Sequence, residues 1–131
     1  MARVIVLDAS VLIAYLDEHD NHHGAAEALL ARVIDEDFGA SSLTLAEVLV
    51  VPCRDGRLQV VCNALADLEI QELPFPVDTA VRLAQLRATT GLKMPDCCVV
   101  LAAEDTAGRI ATFDARLAQA AEARSVTVLR H

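Results

Sequence analysis

Two hydrophobic periods take turns along this chain. Residues 3–8, RVIVLD, form a short apolar, β-branched run closed by an acid, the signature of a buried parallel strand. Residues 10–18, SVLIAYLDE, then read as a helix with Ser10 near its start, and HDNHH at 19–23 as a loop. Helical spacing returns in GAAEALLARVIDE at 24–36, a short strand follows in DFGAS at 37–41, and SLTLAEVLVVPC at 42–53 reads as a helix ending near Pro52. RLQVVCNALADL at 57–68 is amphipathic, and EIQELPF at 69–75 is a strand running into a proline-punctuated loop. VDTAVRLAQLRATTG at 77–91 is a helix closed by Gly91. The last third predicts a helix in PDCCVVLAAEDTAG at 95–108, a strand in RIATF at 109–113, a helix in DARLAQAAEAR at 114–124 and a strand in SVTVLR at 125–130. Strands alternating with helices predict a largely parallel sheet covered on both faces. No linker, repeat or low-complexity segment interrupts the pattern, and 131 residues fit one domain, spanning 1–131.

The run Cys97–Ala103 is apolar throughout and admits a buried strand as an alternative. Helix is preferred. Pro95 suits a first helical turn, Gly108 suits a stop, and the 12 residues between them are too many for an ordinary strand. A helix apolar on nearly all sides belongs against the sheet.

Composition narrows the class. Hydrophobic residues make up 54% and aromatics 3%, so the core is aliphatic. No apolar run reaches 18 residues, which excludes a transmembrane helix, and Asp8 breaks the apolar start, which reads as mature protein rather than a signal peptide. Cys53, Cys62, Cys97 and Cys98 show no CxxC spacing, and two are adjacent. They read as reduced small hydrophobes of a cytoplasmic protein. The net charge of −8 is uneven: residues 1–52 carry nine acids against two bases, while residues 53–95 carry five of each. Such a balance opposes broad nucleic-acid binding and fits cation binding or a small, local phosphate-binding surface.

Four acids sit at positions of interest. Asp8 and Asp114 each end a predicted strand, where ligand sites of open parallel sheets lie, and each also reads as a cap for the helix that follows. Asp96 falls in a first helical turn, where the helix dipole favours negative charge. Glu47 shares a helical face with Leu43, Val50 and Val51; it is either the partner of Thr44 in a capping box or, if the helix starts at Ser41 or Ser42, an acid on an apolar stripe. Should the four converge, they need a hard divalent cation to stay ionised together.

In order, VIVLDASVLIAYL, SSLTLAEVLV, LKMPDCCVVLAAE and IATFDARLAQAA resemble the PIN-domain ribonucleases, specifically the VapC-type toxins of bacterial toxin–antitoxin pairs, over nearly the whole chain. The resemblance implies a three-layer α/β/α PIN-like domain with a five-stranded parallel sheet of order 3-2-1-4-5. It implies catalytic, Mg²⁺- or Mn²⁺-binding acids at Asp8, Glu47, Asp96 and Asp114, with supporting hydroxyls at Ser10 and Thr112. It further implies hydrolysis of RNA to a 5′-phosphate and a 3′-hydroxyl, a homodimer, and a cognate VapB-type antitoxin that neutralises the enzyme. The stretch at 53–75 is generic in this family and carries no transferred site.

Rivals are weaker. An aspartyl-phosphate phosphatase wants a second acid two residues after the first, where Ser10 stands, and a receiver domain wants an acidic pair near the first strand. A noncatalytic interaction module on the same scaffold is the alternative from another class, and the complete acid set argues against it. His19, His22 and His23 read as a solvated loop with a helix cap rather than as metal ligands. The CRDGR stretch and Arg82, Arg87, Lys93 and Arg116 are candidates for phosphate contacts, or simply solvated surface.

Overall fold

The computed structural model describes residues 3–129. Three short strands, β1 (Ile5–Leu7), β2 (Phe38–Ser41) and β3 (Gln71–Leu73), and a fourth, β4 (Arg109–Ala111), form one parallel sheet of order β3-β2-β1-β4. β1 is the pivot. Ile5 and Val6 face Phe38 and Gly39 on one side, and Ile5, Val6 and Leu7 face Arg109, Ile110 and Ala111 on the other. Connections leave β1 in opposite directions, so the crevice at the carboxyl ends of β1 and β4 is the topological switch point.

Period-2 alternation sorts the strand side chains into two layers. Ile5 and Leu7 enter one core with helices α1 (Ala9–Leu16), α2 (His23–Arg32), α3 (Ser42–Arg54) and α4 (Leu58–Asp67). Val6 and Ile110 enter the other with α5 (Thr79–Thr90), α6 (Met94–Thr106) and α7 (Ala115–Ala123). The expected three-layer α/β/α architecture therefore holds. So does the choice of helix for the apolar run after Asp96: residues 97–103 of α6 are all buried. The helix touches β1, β2 and β4 as well as α3 and α5.

Among the described residues the sheet has four strands rather than the expected five. Residues 125–129 run parallel to β4, but pairing reduces to one bridge between Ile110 and Val128, held by Ile110 N–H to Thr127 O at 2.9 Å and Leu129 N–H to Ile110 O at 2.8 Å. β4 is three residues long, and its other edge is taken by β1, so it offers the terminal segment a single rung. Arg130, the last residue of the expected strand, lies outside the described residues.

Helix ends differ in detail. α2 stops at Arg32 instead of running to residue 36; Val33 and Ile34 tighten into three-residue hydrogen bonds, which turns the chain so that Asp37 O meets Ile5 N–H at 2.8 Å. α3 passes Pro52 and ends at Arg54. Gly91 closes α5 in the left-handed region, at φ 70°, as expected. α6 ends differently: Ala107 takes the left-handed turn, at φ 53°, and Gly108 serves a separate need. A Cβ there would lie 2.5 Å from the carbonyl oxygen of Val4, so only glycine lets β4 come alongside β1.

Candidate active site

Asp8 follows β1 and caps α1, its Oδ1 accepting the Ala9 N–H at 2.8 Å. Its Oδ2 accepts two hydroxyls, Ser10 Oγ at 2.8 Å and Thr112 Oγ1 at 2.7 Å. Each hydroxyl also accepts an amide from the turn after β4: Phe113 N–H reaches Ser10 Oγ at 3.1 Å and Asp114 N–H reaches Thr112 Oγ1 at 3.0 Å. These four bonds, with Asp8 N–H to Ala111 O at 3.0 Å, knit the two strand ends into one unit. Oδ2 then has both lone pairs engaged, and Oδ1 retains one. Asp8 is only 6% exposed, so this shell of donors is what keeps a carboxylate tolerable there.

Asp114 caps α7. Its Oδ1 accepts Arg116 N–H at 2.9 Å and Leu117 N–H at 3.1 Å, leaving Oδ2 without a hydrogen bond among the described residues. Both strand-end acids are thus helix caps, and both stand at the carboxyl ends of the neighbouring strands β1 and β4, so the cap reading and the strand-end reading describe one geometry. Asp96, half-buried, stands in the first turn of α6 just after Pro95. Glu47 stands on α3. That helix begins at Ser42 with Ser41 as its cap, accepting Leu43 N–H at 3.3 Å, and Thr44 is buried inside the helix. The capping-box reading of Glu47 therefore falls. The stripe it shares is not core either: Val50 and Val51 are 44% and 59% exposed.

Electrostatics connect the four acids. Burial, then the charges of Asp8, Asp114 and Glu47 in that order, push the Asp96 carboxyl above its ordinary value, with Lys93 opposing. Burial and the charge of Asp8 raise Glu47 in the same way. The charges of Asp8, Asp114 and Glu47 thus all reach Asp96, and that of Asp8 also reaches Glu47. Among the described residues, no three His, Cys, Asp or Glu side chains are drawn tightly enough together to hold a cation. The donor set is entirely carboxylate and hydroxyl oxygen, which suits a hard divalent ion.

The remaining candidates separate. His23 Nδ1 contacts the Ala14 carbonyl oxygen at 2.8 Å, and Asp20 Oδ1 accepts the His22 N–H at 2.8 Å, so the histidine loop is structural. Arg82 lies between Asp78 and Asp105, whereas Arg87 and Arg116 donate to backbone carbonyls near the acids. Cys97 and Cys98 are buried, and burial with the nearby Cys97 and Glu47 pushes the Cys98 thiol up to about 11, which leaves it an inert hydrophobe. Cys53 is exposed on α3. The sequence reading passed over Phe113, which lies between Thr112 and Asp114 and stacks on His22 at 5.0 Å between ring centres. Its signal was the rarity of aromatics in the chain, with one placed between two candidate site residues. No helix among the described residues is long and apolar enough to cross a membrane.

A parallel α/β/α domain with an acidic crevice at its switch point is the class this geometry defines. The chain belongs to the PIN domain family, whose sequence profile matches residues 5–123. Its fold is similar to that of FitAcB from Neisseria gonorrhoeae, at 26% identity over 96% of each chain with a TM-score of 0.73. It is also similar to a toxin–antitoxin complex from Klebsiella pneumoniae, at 24% identity over 84% of this chain and 86% of that one, TM-score 0.68. A sarcin–ricin-loop-cleaving VapC toxin from Mycobacterium tuberculosis shares the fold at 16% identity, over 88% and 94% of the two chains, TM-score 0.66. No curated protein sequence matches the chain.

Proposed function

We propose that this chain is a metal-dependent endoribonuclease of the VapC toxin type, with Asp8, Glu47, Asp96 and Asp114 as its acidic centre and Ser10 and Thr112 as supports. The observation that carries this reading is that Ser10 and Thr112 knit the strand ends of Asp8 and Asp114 together, while the charges of Asp8, Asp114 and Glu47 all reach Asp96. Family membership and the RNA-cleaving toxin of the same fold support it. A bound Mg²⁺ or Mn²⁺ would supply neutralising charge to the acids and to the phosphate under attack. The residues to hold it are Asp8 through the spare lone pair of Oδ1, Asp114 through Oδ2, Asp96, and Glu47. Ser10 and Thr112 fix the orientation of Asp8, as groups behind a metal ligand do. Glu47, exposed on α3, would hold the ion or orient the attacking water.

The same reading assigns a partner. Beside Glu47 runs an open groove of about 900 Å³ whose walls include Ile13, Leu16, Val51 and Pro52, with Asp17 and Asp55 at its edges. An antitoxin segment with apolar residues and one Arg or Lys suits it, the cation pairing with the acids and denying them to RNA. The active unit is proposed to be a homodimer.

The test is cleavage of a labelled RNA pool with Mg²⁺ and with chelator. Wild type should cut only with metal, and D8N and D96N should lose cleavage at least about a hundredfold while keeping a native circular dichroism spectrum. Full activity of both variants ends the assignment. Co-expression with the antitoxin should give an inactive complex, and truncating the antitoxin to its DNA-binding half should restore activity.

A further inference from the structure

RNA is a polyanion, and the proposed centre is a ring of acids in a chain of net charge −8. A strand can settle there only if cations grip its phosphates next to the ring. Most arginines that lie near acids are spent on them: Arg82 on Asp78 and Asp105, Arg109 on Glu36, and Arg124 on Glu104. The turn Gly91–Leu92–Lys93, between α5 and α6, is different. Arg87 Nη1 donates to Leu92 O at 2.6 Å, and Arg116 Nη2 donates to Gly91 O at 3.1 Å. Neutral carbonyls do not offset a charge, and neither guanidinium has an ion-pair partner within 4 Å among the described residues. The turn itself carries Lys93, the only lysine of the chain, exposed and three residues before Asp96. Arg116 lies two residues after Asp114. Three cations thus gather on one rim, the rim shared by two of the four acids. The groove beside Glu47 is lined instead by the acids Asp17, Glu18 and Asp55 together with Glu47 itself, against a single arginine, Arg57.

We propose that Lys93 and Arg116, on the turn that Arg87 braces, form the phosphate-gripping rim that seats the RNA strand beside Asp96 and Asp114. The inference rests on the nuclease reading of the acids. It adds a direction: the substrate backbone crosses the α5–α6 turn and the start of α7, not the acidic groove. Lys93 and Arg116 act here as positioning residues.

Binding can be read without cleavage, by fluorescence anisotropy of a labelled single-stranded RNA in chelator, using D96N as the parent and salt from 20 to 200 mM. Adding K93Q should weaken binding at every salt concentration and make the slope of log affinity against log salt shallower by about 0.7, one phosphate contact on a single strand. R116Q should act in the same sense. K93R, which keeps the charge, should bind like the parent. R124Q removes a charge at the far end of α6 and α7 and should leave affinity and slope unchanged. Parent-like slopes for both K93Q and R116Q overturn the proposal, as does an equal loss from R124Q. If wild type cleaves no RNA yet these slopes appear, the rim stands and the nuclease reading falls; if wild type cleaves and the slopes do not move, the rim alone falls.

Discussion

Replacing Thr112 by valine removes one hydroxyl and almost nothing else. Thr112 is 3% exposed and its Oγ1 lies 2.7 Å from Oδ2 of Asp8, itself 6% exposed. The lost bond is a charge-assisted one in a site that water reaches poorly, worth about 2 kcal/mol. The second bond lost, from the Asp114 N–H, belongs to a turn that water can reach, so it adds little. For a domain of this size, with a urea dependence of roughly 1.5 kcal/mol per molar, the midpoint of unfolding should fall by about 1.3 M. The decisive measurement is the same substitution in the D8N background. A neutral acceptor should reduce the cost of T112V to about 1 kcal/mol, a coupling of about 1 kcal/mol between the two positions. Equal costs in both backgrounds would show that the hydroxyl holds the turn and not the charge. So would a cost below about 0.5 kcal/mol in the native background, the scatter expected of a neutral surface change. The same variant should slow RNA cleavage by about 10- to 100-fold, the usual effect of removing a group behind a metal ligand.

Three further outcomes are expected. Mg²⁺ at about a hundred times its Kd should stabilise wild type by about 2.7 kcal/mol and D96N by less, read as melting temperatures with and without chelator; equal shifts would detach Asp96 from the ion. Without metal, Asp96 is raised above its ordinary 3.8 by burial and by three acids, so the folded state binds its proton more tightly than the unfolded state and repulsion is relieved as pH falls through the raised value. D96N should therefore melt above wild type at pH 7, and the gap should close as pH drops towards the carboxylate range; a gap independent of pH refutes the crowding argument. G108A should cost about 2 kcal/mol or more, because its Cβ would lie 2.5 Å from the Val4 carbonyl oxygen. A native midpoint in urea would show that β4 can shift to make room.

Most of the frame was legible because its signals are local. β-branched runs ending in Asp8 and in Phe113 marked β1 and β4, and Pro95 with the length of the apolar run distinguished α6 from a strand. What escaped depends on contacts between distant segments. Nothing in SVTVLR tells how many rungs β4 can offer, so a bridge was read as a strand. Gly108 looked like a helix stop, since its crowding against Val4 exists only once β1 and β4 are paired. Glu47 kept two readings until the cap at Ser41 fixed where α3 begins. Asp8 and Asp114 looked like a choice between cap and site; both prove to be caps, a geometry that leaves the site reading open to them, and the hydroxyls of Ser10 and Thr112 tie Asp8 to the turn that carries Asp114. Neutralising an acid does not relieve repulsion equally at every position. Both oxygens of Asp8 accept hydrogen bonds, two of them from hydroxyls at Oδ2, so an amide there sacrifices bonds, whereas an Asn at 114 could keep the Oδ1 cap.

Through its middle, helix α6 has no outer face. Seven consecutive side chains, 97–103, are buried, and Asp96 is the residue just ahead of them. The acid proposed for the site and the scaffold therefore cannot be inherited separately: a lineage that edits this helix risks the fold before it alters the proposed chemistry. Recognition is under no such bond. Ile13, Val50 and Val51 are each at least 44% exposed, and exchanges at such positions usually cost within about 0.5 kcal/mol. On the proposed reading, sister copies of this gene can thus drift apart in the antitoxin they answer to while keeping the same acidic centre. A designer seeking new pairings should randomise α1 and α3 and leave residues 94–106 untouched.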